Sequence, residues 1–348
     1  MKRLNIAILF GGCSPEYSVS LQSAYSVITH IDTDKFRPVL IGISPKGNWY
    51  RFLGDNGKIA SDTWCNSSDC LPAAISPDRD ALKLLVLHPD KVEEIPIDAA
   101  FPVLHGKNGE DGTVQGIFEM AGIPIVGCST LAAALCMDKN RAHQLAHMAG
   151  VHVPTSFVLK KMDATIALES AEILGYPLFV KPVRAGSSYG ITKVTRRDDL
   201  PAAVKLAFEY DDEVIVEESV TGFEVGCAVM GNNELIVGEI DEIELWDGFF
   251  DYTEKYTLKN SAIHVPARIS KEKAEEIKQT AQTIYQALGC RGFARVDMFL
   301  KTDGQVIFNE VNTIPGFTSH SRYSNMMKAS GISFEQVISH VIELAVGV

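Results

Sequence analysis

Two short segments in the last third of this 348-residue sequence carry paired oxygen donors at strand spacing. Arg295-Val296-Asp297 sets an arginine and a carboxylate two residues apart, and Asn309-Glu310-Val311-Asn312 does the same for a carboxylate and an amide. Residues i and i+2 of an extended chain share a face. If the two segments pair, Asp297, Glu310 and Asn312 therefore present oxygens to one point, with Arg295 beside them. Hard oxygen donors with little histidine suit a Mg²⁺ that bridges phosphates. A solvated acidic face is the competing reading, and two such pairs at matched spacing weigh against it, because gathered carboxylates are costly without a cation.

A phosphate-binding loop is the second candidate. The sequence has no GxxxxGK[ST], and GGCSPE after the first apolar run is not GxGxxG. RAGSSYG (184–190), however, lies between the strand-like FVKPV and ITKVT. Its glycines and serines let backbone N–H groups and hydroxyls turn toward one anion. Lys181 just before it and Lys139 upstream could supply the point charges that a triphosphate needs. A plain hairpin loop with surface lysines remains the alternative. His143-Gln144-Leu145-Ala146-His147 has the i, i+4 histidines of a zinc helix but lacks the Glu of HExxH and a third ligand. Two histidines on a helix surface suffice to explain it.

The elements that must hold these groups follow from periodicity. LNIAILF, RPVLIGIS, DAAFPVL and IPIVG read as strands, with helices over SLQSAYSVITH (opened by Ser20) and TVQGIFEMAG. That alternation predicts a parallel sheet flanked by helices, a Rossmann-like α/β unit over 1–128. A helical stretch over 129–149 leads into a second unit, 129–220, with strands TSFVLK, PLFVKPV, ITKVT and EVIVEE and helices near 164–174 and 198–209. The third, 221–348, has strands GFEVGCAVMG and ELIVGEIDEIEL and a polar, aromatic loop from Trp246 to about Ile263. A helix near 271–288, the two donor-bearing strands and a closing helix from Ser333 complete it. The class is α/β and α+β.

Composition narrows the partners. Acidic residues outnumber basic ones 44 to 32, a net charge of −12, which repels nucleic acid and anionic lipid. With 46% apolar residues the chain can bury large cores, and no apolar run approaches the ~18 residues of a membrane span. The apolar run Ile6–Phe10 is too short for an export signal. Seven scattered cysteines without zinc spacing suggest buried thiols in a reducing cytoplasm.

HGKNGEDGTVQG (105–116), RVDMFL and FNEVNTIPG together resemble the D-alanine–D-alanine ligase family of the ATP-grasp superfamily, over essentially the whole chain. GFFDYTEKY and GFTSHSRY resemble its vancomycin-resistance branch, the type G D-alanine–D-serine ligases in particular. The resemblance implies an ATP-grasp fold and a reaction in which ATP phosphorylates the first D-alanine. The amine of a second D-amino acid, D-serine or D-alanine, then displaces phosphate from the acyl phosphate.

It also implies roles. Lys139, Lys181 and Lys255 would grip phosphate oxygens, with Ser187 and Ser188 in the loop and Phe249 beside the nucleotide. Glu217, Glu218, Val220 and Glu224 match the adenine and ribose positions. Glu16, His105, Ser187 and Tyr256 match the first-substrate and loop-closing positions. Asp297, Glu310 and Asn312 would hold two Mg²⁺, with Mn²⁺ as a substitute. Arg295 and the Gly316 N–H would form an oxyanion hole, and Ser321 would bind the second carboxylate. Arg322, where housekeeping relatives usually carry an apolar residue, could make that pocket polar, with Asp241 as partner for its charge. A surface Arg–Asp pair without substrate contact is the alternative. One departure is Glu-Tyr-Ser-Val-Ser in the first-substrate loop, where the family commonly has Glu-His-acid; it leaves the parts of Tyr17 and Ser18 open. The loop from Trp246 would act as a lid over the reactive acyl phosphate. A homodimer is one option for the assembly. A housekeeping ligase and a non-catalytic ATP-binding regulator are the rival functions, and the intact Arg295, Asp297, Glu310 and Asn312 argue against the second.

Overall fold

Along β1 (Leu4–Gly11) the side chains divide by parity, and that division organises the first sheet. Ile6, Ile8 and Phe10 enter one apolar cluster, Ala7 and Leu9 another, and all five are fully buried. A strand covered on both faces reads as a continuous apolar run, as this one does. The computed structural model describes residues 3–66, 68–160, 164–245 and 261–347.

After β1 come α1 (Tyr17–His30), β2 (Phe36–Ile43), β3 (Trp49–Phe52), α2 (Gly57–Ala60), β4 (Cys70–Ile75), β5 (Lys83–Leu87), β6 (Val92–Pro96) and β7 (Ala99–Pro102). They form a seven-stranded sheet in the order β6-β5-β4-β3-β2-β1-β7. Only β2-β1-β7 is parallel; β3 to β6 extend the sheet as antiparallel strands. The expected all-parallel sheet is thus a mixed one. The four added strands are short, half-exposed and interrupted by Pro72 and Pro96, so they lack a long apolar run. IPIVG forms no strand beyond one bridge between Ala100 and Ile125. α1 begins at Tyr17, three residues before the expected cap. Ser20 is buried inside it, where its hydroxyl accepts from Gly11 N–H and donates to the Val103 carbonyl.

Next come α3 (Thr113–Ala121), α4 (Thr130–Met137), α5 (Lys139–Met148), β8 (Ser156–Leu159), α6 (Ala164–Leu174), β9 (Leu178–Pro182), β10 (Thr192–Val194), α7 (Leu200–Ala207) and β11 (Val214–Glu218). The strands make an antiparallel sheet ordered β10-β9-β11-β8. The third sheet contains β12 (Gly222–Gly231), β13 (Leu235–Leu245), β14 (Ser261–His264), β15 (Phe293–Lys301) and β16 (Val306–Asn312), ordered β14-β13-β12-β15-β16. The expected loop therefore gives way to strand by Ser261. Outside this sheet lie α8 (Lys271–Ala287), α9 (Arg322–Ala329) and α10 (Phe334–Val346). α10 opens with a capping box between Ser333 and Gln336. α9 has no counterpart among the sequence expectations, because its surrounding sequence is polar. Phe293, Phe317, Tyr323, Met326 and Val341 join Ile6, Ile8 and Phe10 in one cluster, so the last third of the chain shares a core with the first.

Candidate active site

The donor-bearing strands pair as their spacing requires. β15 and β16 are antiparallel neighbours with Arg295 opposite Asn312 and Asp297 opposite Glu310, and the register shifts just after Asp297. Arg295 grips Asp297 through Nε (2.8 Å to Oδ1) and Nη2 (2.7 Å to Oδ2), and Asn312 Nδ2 donates to Asp297 Oδ2 at 2.8 Å. Burial works against the arginine's charge, but Asp297 more than offsets it and holds the guanidinium pKa up. Among the described residues no three His, Cys, Asp or Glu side chains converge on one point. The donor set expected from the sequence, Asp297, Glu310 and Asn312, is two carboxylates and one amide oxygen. Such a hard, incomplete set fits a cation whose remaining ligands are phosphate oxygens and water, and not a closed protein cage.

Glu16, Ser187 and His105 meet at one end of a cavity of about 560 Å³, which is also lined by Lys139, Arg295, Glu310, Asn312, Gly316, Ser321 and Arg322. Glu16 closes the turn before α1, and Ser187 Oγ donates to its carboxylate across 171 residues of sequence. Gly106 must be glycine here: its φ is +71°, and a Cβ would fall 2.2 Å from Glu16 Oε2. The loop 184–190 joins antiparallel β9 and β10, so it is a hairpin loop. Ser187 and Ser188 both hold positive φ (49° and 59°), a conformation unusual for side-chain-bearing residues and often found at functional sites.

His105 is buried with both ring nitrogens engaged. Nδ1 lies 2.8 Å from the Ile314 carbonyl and Nε2 2.9 Å from Ser23 Oγ. The carbonyl can only accept, so Nδ1 carries the hydrogen. Burial lowers the ring's pKa despite Glu16 nearby, which keeps it neutral. Sequence reasoning missed Glu110, which ties the same two loops together. Its Oε2 accepts from Gly106 N–H (2.8 Å) and its Oε1 from Ile314 N–H (3.0 Å). Burial and the neighbouring Glu16 charge push its pKa up to about 8. Its only sequence signal is a carboxylate set between glycines in HGKNGEDG. In the loop that departs from the family pattern, Ser18 lines the cavity, whereas the Tyr17 hydroxyl turns to Asp62 Oδ1 (2.9 Å) and Trp64 Nε1 (3.0 Å).

A second cavity, about 370 Å³, is lined by Lys181, Ser188, Glu217, Glu218, Val220 and Glu224. Lys139, Ala185 and Glu310 line both cavities, which meet there. Lys139 Nζ donates to the Ala185 carbonyl (2.8 Å) and stands 3.8 Å from Glu310. Lys181 Nζ is 2.5 Å from Glu217 Oε2. Burial would raise the Glu217 pKa, but Lys181 and the other cations around it hold it below the usual range. Lys139 and Glu310 stand where the two cavities meet, with Lys181 on the wall of the smaller one, and make a charged neck between them.

Arg322, the first residue of α9, meets Asp241 on β13 through Nε (2.6 Å) and Nη2 (2.8 Å), and reaches Glu224 through Nη1 (2.9 Å) and Asp297 at 3.4 Å. Asp241 is 0% and Arg322 9% exposed, so the surface ion pair is ruled out. Gly226 leaves room for the pair, since a Cβ there would come within 2.5 Å of both side chains. Ser321 sits at the N-cap of α9, and its Oγ accepts from Thr318 N–H at 3.0 Å.

Two expectations change. His143 is not on a helix surface: it is 4% exposed and its Nε2 lies 2.8 Å from the Asn309 carbonyl, while His147 is exposed. Of the cysteines, Cys13 is exposed and Cys65 and Cys70 are half-buried; the other four are buried, and all seven are free thiols. Phe249, Lys255 and Tyr256 lie outside the described residues, as does the expected lid from Trp246 as far as residue 260.

Residues 5–128 match the profile described as D-ala D-ala ligase N-terminus, and residues 145–343 that described as D-ala D-ala ligase C-terminus. The vancomycin B-type resistance protein VanB of Enterococcus faecalis is 46% identical over 99% of both chains. A D-alanine–D-alanine ligase of Caldicellulosiruptor bescii is 42% identical over 99% of this chain and 96% of that protein. The crystal structure of the VanG D-Ala:D-Ser ligase from Enterococcus faecalis superposes with a TM-score of 0.92 at 56% identity, covering 99% of this chain and 100% of that one. The chain belongs to the D-alanine–D-alanine ligase family, ATP-dependent ATP-grasp enzymes that join D-amino acids and generally need a divalent metal.

Proposed function

We propose that this ligase joins D-alanine to D-serine through a D-alanyl phosphate, in the cytoplasm, for peptidoglycan precursors with altered termini that confer vancomycin resistance. The observation that carries the choice of D-serine is Arg322 on the wall of the larger cavity, held in place by the fully buried Asp241 behind it. The likeness to a D-Ala:D-Ser ligase at 56% identity supports it. A fixed polar pair rewards an acceptor that brings a hydroxyl and penalises one that leaves it unpaired. Incubation with ATP, D-alanine and competing D-serine, with the dipeptides separated by mass, tests this; an excess of D-alanyl-D-alanine would favour the housekeeping reading, which the 42% identity to a D-alanine–D-alanine ligase supports.

In this reading ATP lies in the smaller cavity with its γ-phosphate at the charged neck. Glu217, Glu218, Val220 and Glu224 hold adenine and ribose, and Phe249, outside the described residues, is assigned to the nucleotide by the family resemblance. Lys139, Lys181 and Lys255 hold phosphate oxygens, and the strained Ser187–Ser188 turn offers its N–H groups to them. Asp297, Glu310 and Asn312 would hold Mg²⁺, as two ions that Mn²⁺ could replace, and a metal bound there would neutralise charge on the phosphate oxygens. Glu16 accepts from the ammonium of the first D-alanine and steers its carboxylate to the neck, with Ser187 and Tyr256 closing over it. His105, held neutral between Ser23 and Ile314, fixes the loop that presents Gly316. Arg295 and the Gly316 N–H receive the charge that develops as the second amine attacks the acyl phosphate. Ser321 and the positive N-terminal end of α9 bind the second substrate's carboxylate.

A further inference from the structure

Glu217 lines the smaller cavity and His143 stands behind it, and each keeps one polar atom unsatisfied among the described residues. His143 on α5 is 4% exposed and Glu217 on β11 is 2% exposed. The His143 Nε2 lies 2.8 Å from the Asn309 carbonyl, which can only accept, so Nε2 carries a hydrogen. Nδ1 stands 3.6 Å from Glu217 Oε1, and neither atom has a hydrogen-bond partner among the described residues. The other Glu217 oxygen is taken by Lys181 at 2.5 Å.

With a neutral ring, Nδ1 turns a lone pair toward a carboxylate lone pair. Two buried acceptors that face each other are unfavourable, and a single hydrogen between them removes the conflict. It can come from a proton on Nδ1 or, since both atoms are buried, from a donor in the cavity toward which the carboxylate turns Oε1. The charged groups that bear on the ring are few. Glu217 on β11 favours the imidazolium, while Lys181 on β9 and Lys139 on α5 oppose it. From β16 the ring meets the Asn309 carbonyl and the edge of Phe308, with centroids 5.4 Å apart, and neither titrates. Burial adds to the opposition, so the ring gains its proton only below the ordinary imidazole range.

We propose that His143 is a positioning residue of the nucleotide pocket, which holds Glu217 Oε1 through a proton until an exocyclic amine of the base displaces it. The inference rests on reading this cavity as the nucleotide site. In the empty pocket at acid pH, Nδ1–H donates to Oε1. When the 6-amino group of adenine donates there instead, Nδ1 loses its acceptor and its proton passes to the buffer; no other bond breaks. A base with a carbonyl at that position brings a third acceptor and is rejected. Because the empty form binds the extra proton, ATP affinity falls as pH falls.

The test is calorimetric titration of MgATP at about pH 5.5, in two buffers of different ionisation enthalpy, for the wild type and His143→Gln. Glutamine keeps an N–H for the Asn309 carbonyl but does not titrate. The wild type is expected to release more protons than the variant, the ligand's own phosphate protons cancelling between them. Its KM for ATP should rise by up to about tenfold per pH unit below the pKa of the ring, a slope absent from the variant, while kcat follows one profile in both. Equal proton release and equal slopes would overturn the proposal. If His143→Gln does not fold, adenosine, which has no phosphate, serves as the probe for the wild type alone. Proton release at about pH 5.5 and none at about pH 8 supports the proposal, and none at either refutes it. Glu217→Gln separates the two levels. ATP affinity unmoved by that change removes the nucleotide reading of this cavity altogether, whereas weakened ATP binding with no His143 effect removes only the present inference.

Discussion

The Arg322 guanidinium and the Asp241 carboxylate face each other through two near-parallel hydrogen bonds, 2.6 and 2.8 Å, although 81 residues separate them in sequence. The pair also touches Glu224 and Asp297, so one arginine links the wall of the nucleotide cavity to the donor strand. If it sets the acceptor, Arg322→Met should shift the product toward D-alanyl-D-alanine. A fixed partner for the serine hydroxyl discriminates by about 1–3 kcal/mol, or roughly ten- to hundredfold. Because stranding a buried Asp241 can destabilise by about 3–5 kcal/mol, the change is best paired with Asp241→Asn, which still accepts from Gly226 N–H. An unchanged product ratio in the folded double variant would leave the pair a structural role alone.

Glu310 stands at the neck with its side chain 23% exposed and Lys139 at 3.8 Å. Its replacement by glutamine removes the charge proposed to hold Mg²⁺ but little packing, and Lys139 keeps its bond to Ala185. Ligation should be abolished with the thermal melt nearly unchanged. Activity within a few-fold of wild type would take Glu310 out of the site.

The attacker should be an amine. The expectation rests on the resemblance of YTEKY, with Lys255-Tyr256, to the dipeptide-forming members of the family. Incubation with D-lactate at neutral pH is expected to give little depsipeptide beside the dipeptide formed with D-serine. Comparable amounts of the two would contradict this.

Glu110 gives the fold a pH dependence. Burial and Glu16 raise its pKa in the folded protein to about 8, whereas the unfolded chain loses that proton near pH 4.3, roughly the ordinary glutamate value. Between these values the folded state binds the extra proton, so this contribution is fully present below the lower value and is lost as pH rises toward 8. Glu110→Gln does not titrate. Melts between pH 5 and 8 should show the variant below wild type at the acid end, with the gap closing as pH rises. A constant gap would mean that the carboxyl is ionised throughout.

Tyr17 belongs to the scaffold. Tyr17→Phe strands the indole N–H of the fully buried Trp64 and should cost about 1–3 kcal/mol of stability. The KM for the first D-alanine should stay as in wild type; a rise would bring the phenol back into the substrate loop.

Much of this was readable from local pattern. The strands around Asp297 and Glu310 appear where the apolar periodicity puts them, and so does the hairpin loop with Ser187. The antiparallel additions β3 to β6 and the helix α9 were not readable, because short, half-exposed or polar elements owe their form to the neighbours they pack against. His143 misled for a related reason. A histidine on a polar helical stretch looks exposed until a strand carbonyl from another sheet, that of Asn309, covers it.

The sequence by itself determined what lies within a few residues: which side chains share a strand face, where glycines permit tight loops, and how acidic the whole chain is. Whether Arg295 stands opposite Asn312 depended on strand pairing, which spacing made conditional and the register of β15 on β16 decided. Contacts of long range had no local signal at all. Ser187 reaches Glu16 across 171 residues, and Glu110 reaches Ile314 across 204. Side-chain periodicity acts over one or two turns of chain, whereas these contacts exist because burial of separate apolar faces brings the sheets together and leaves their polar groups to find partners at the seam.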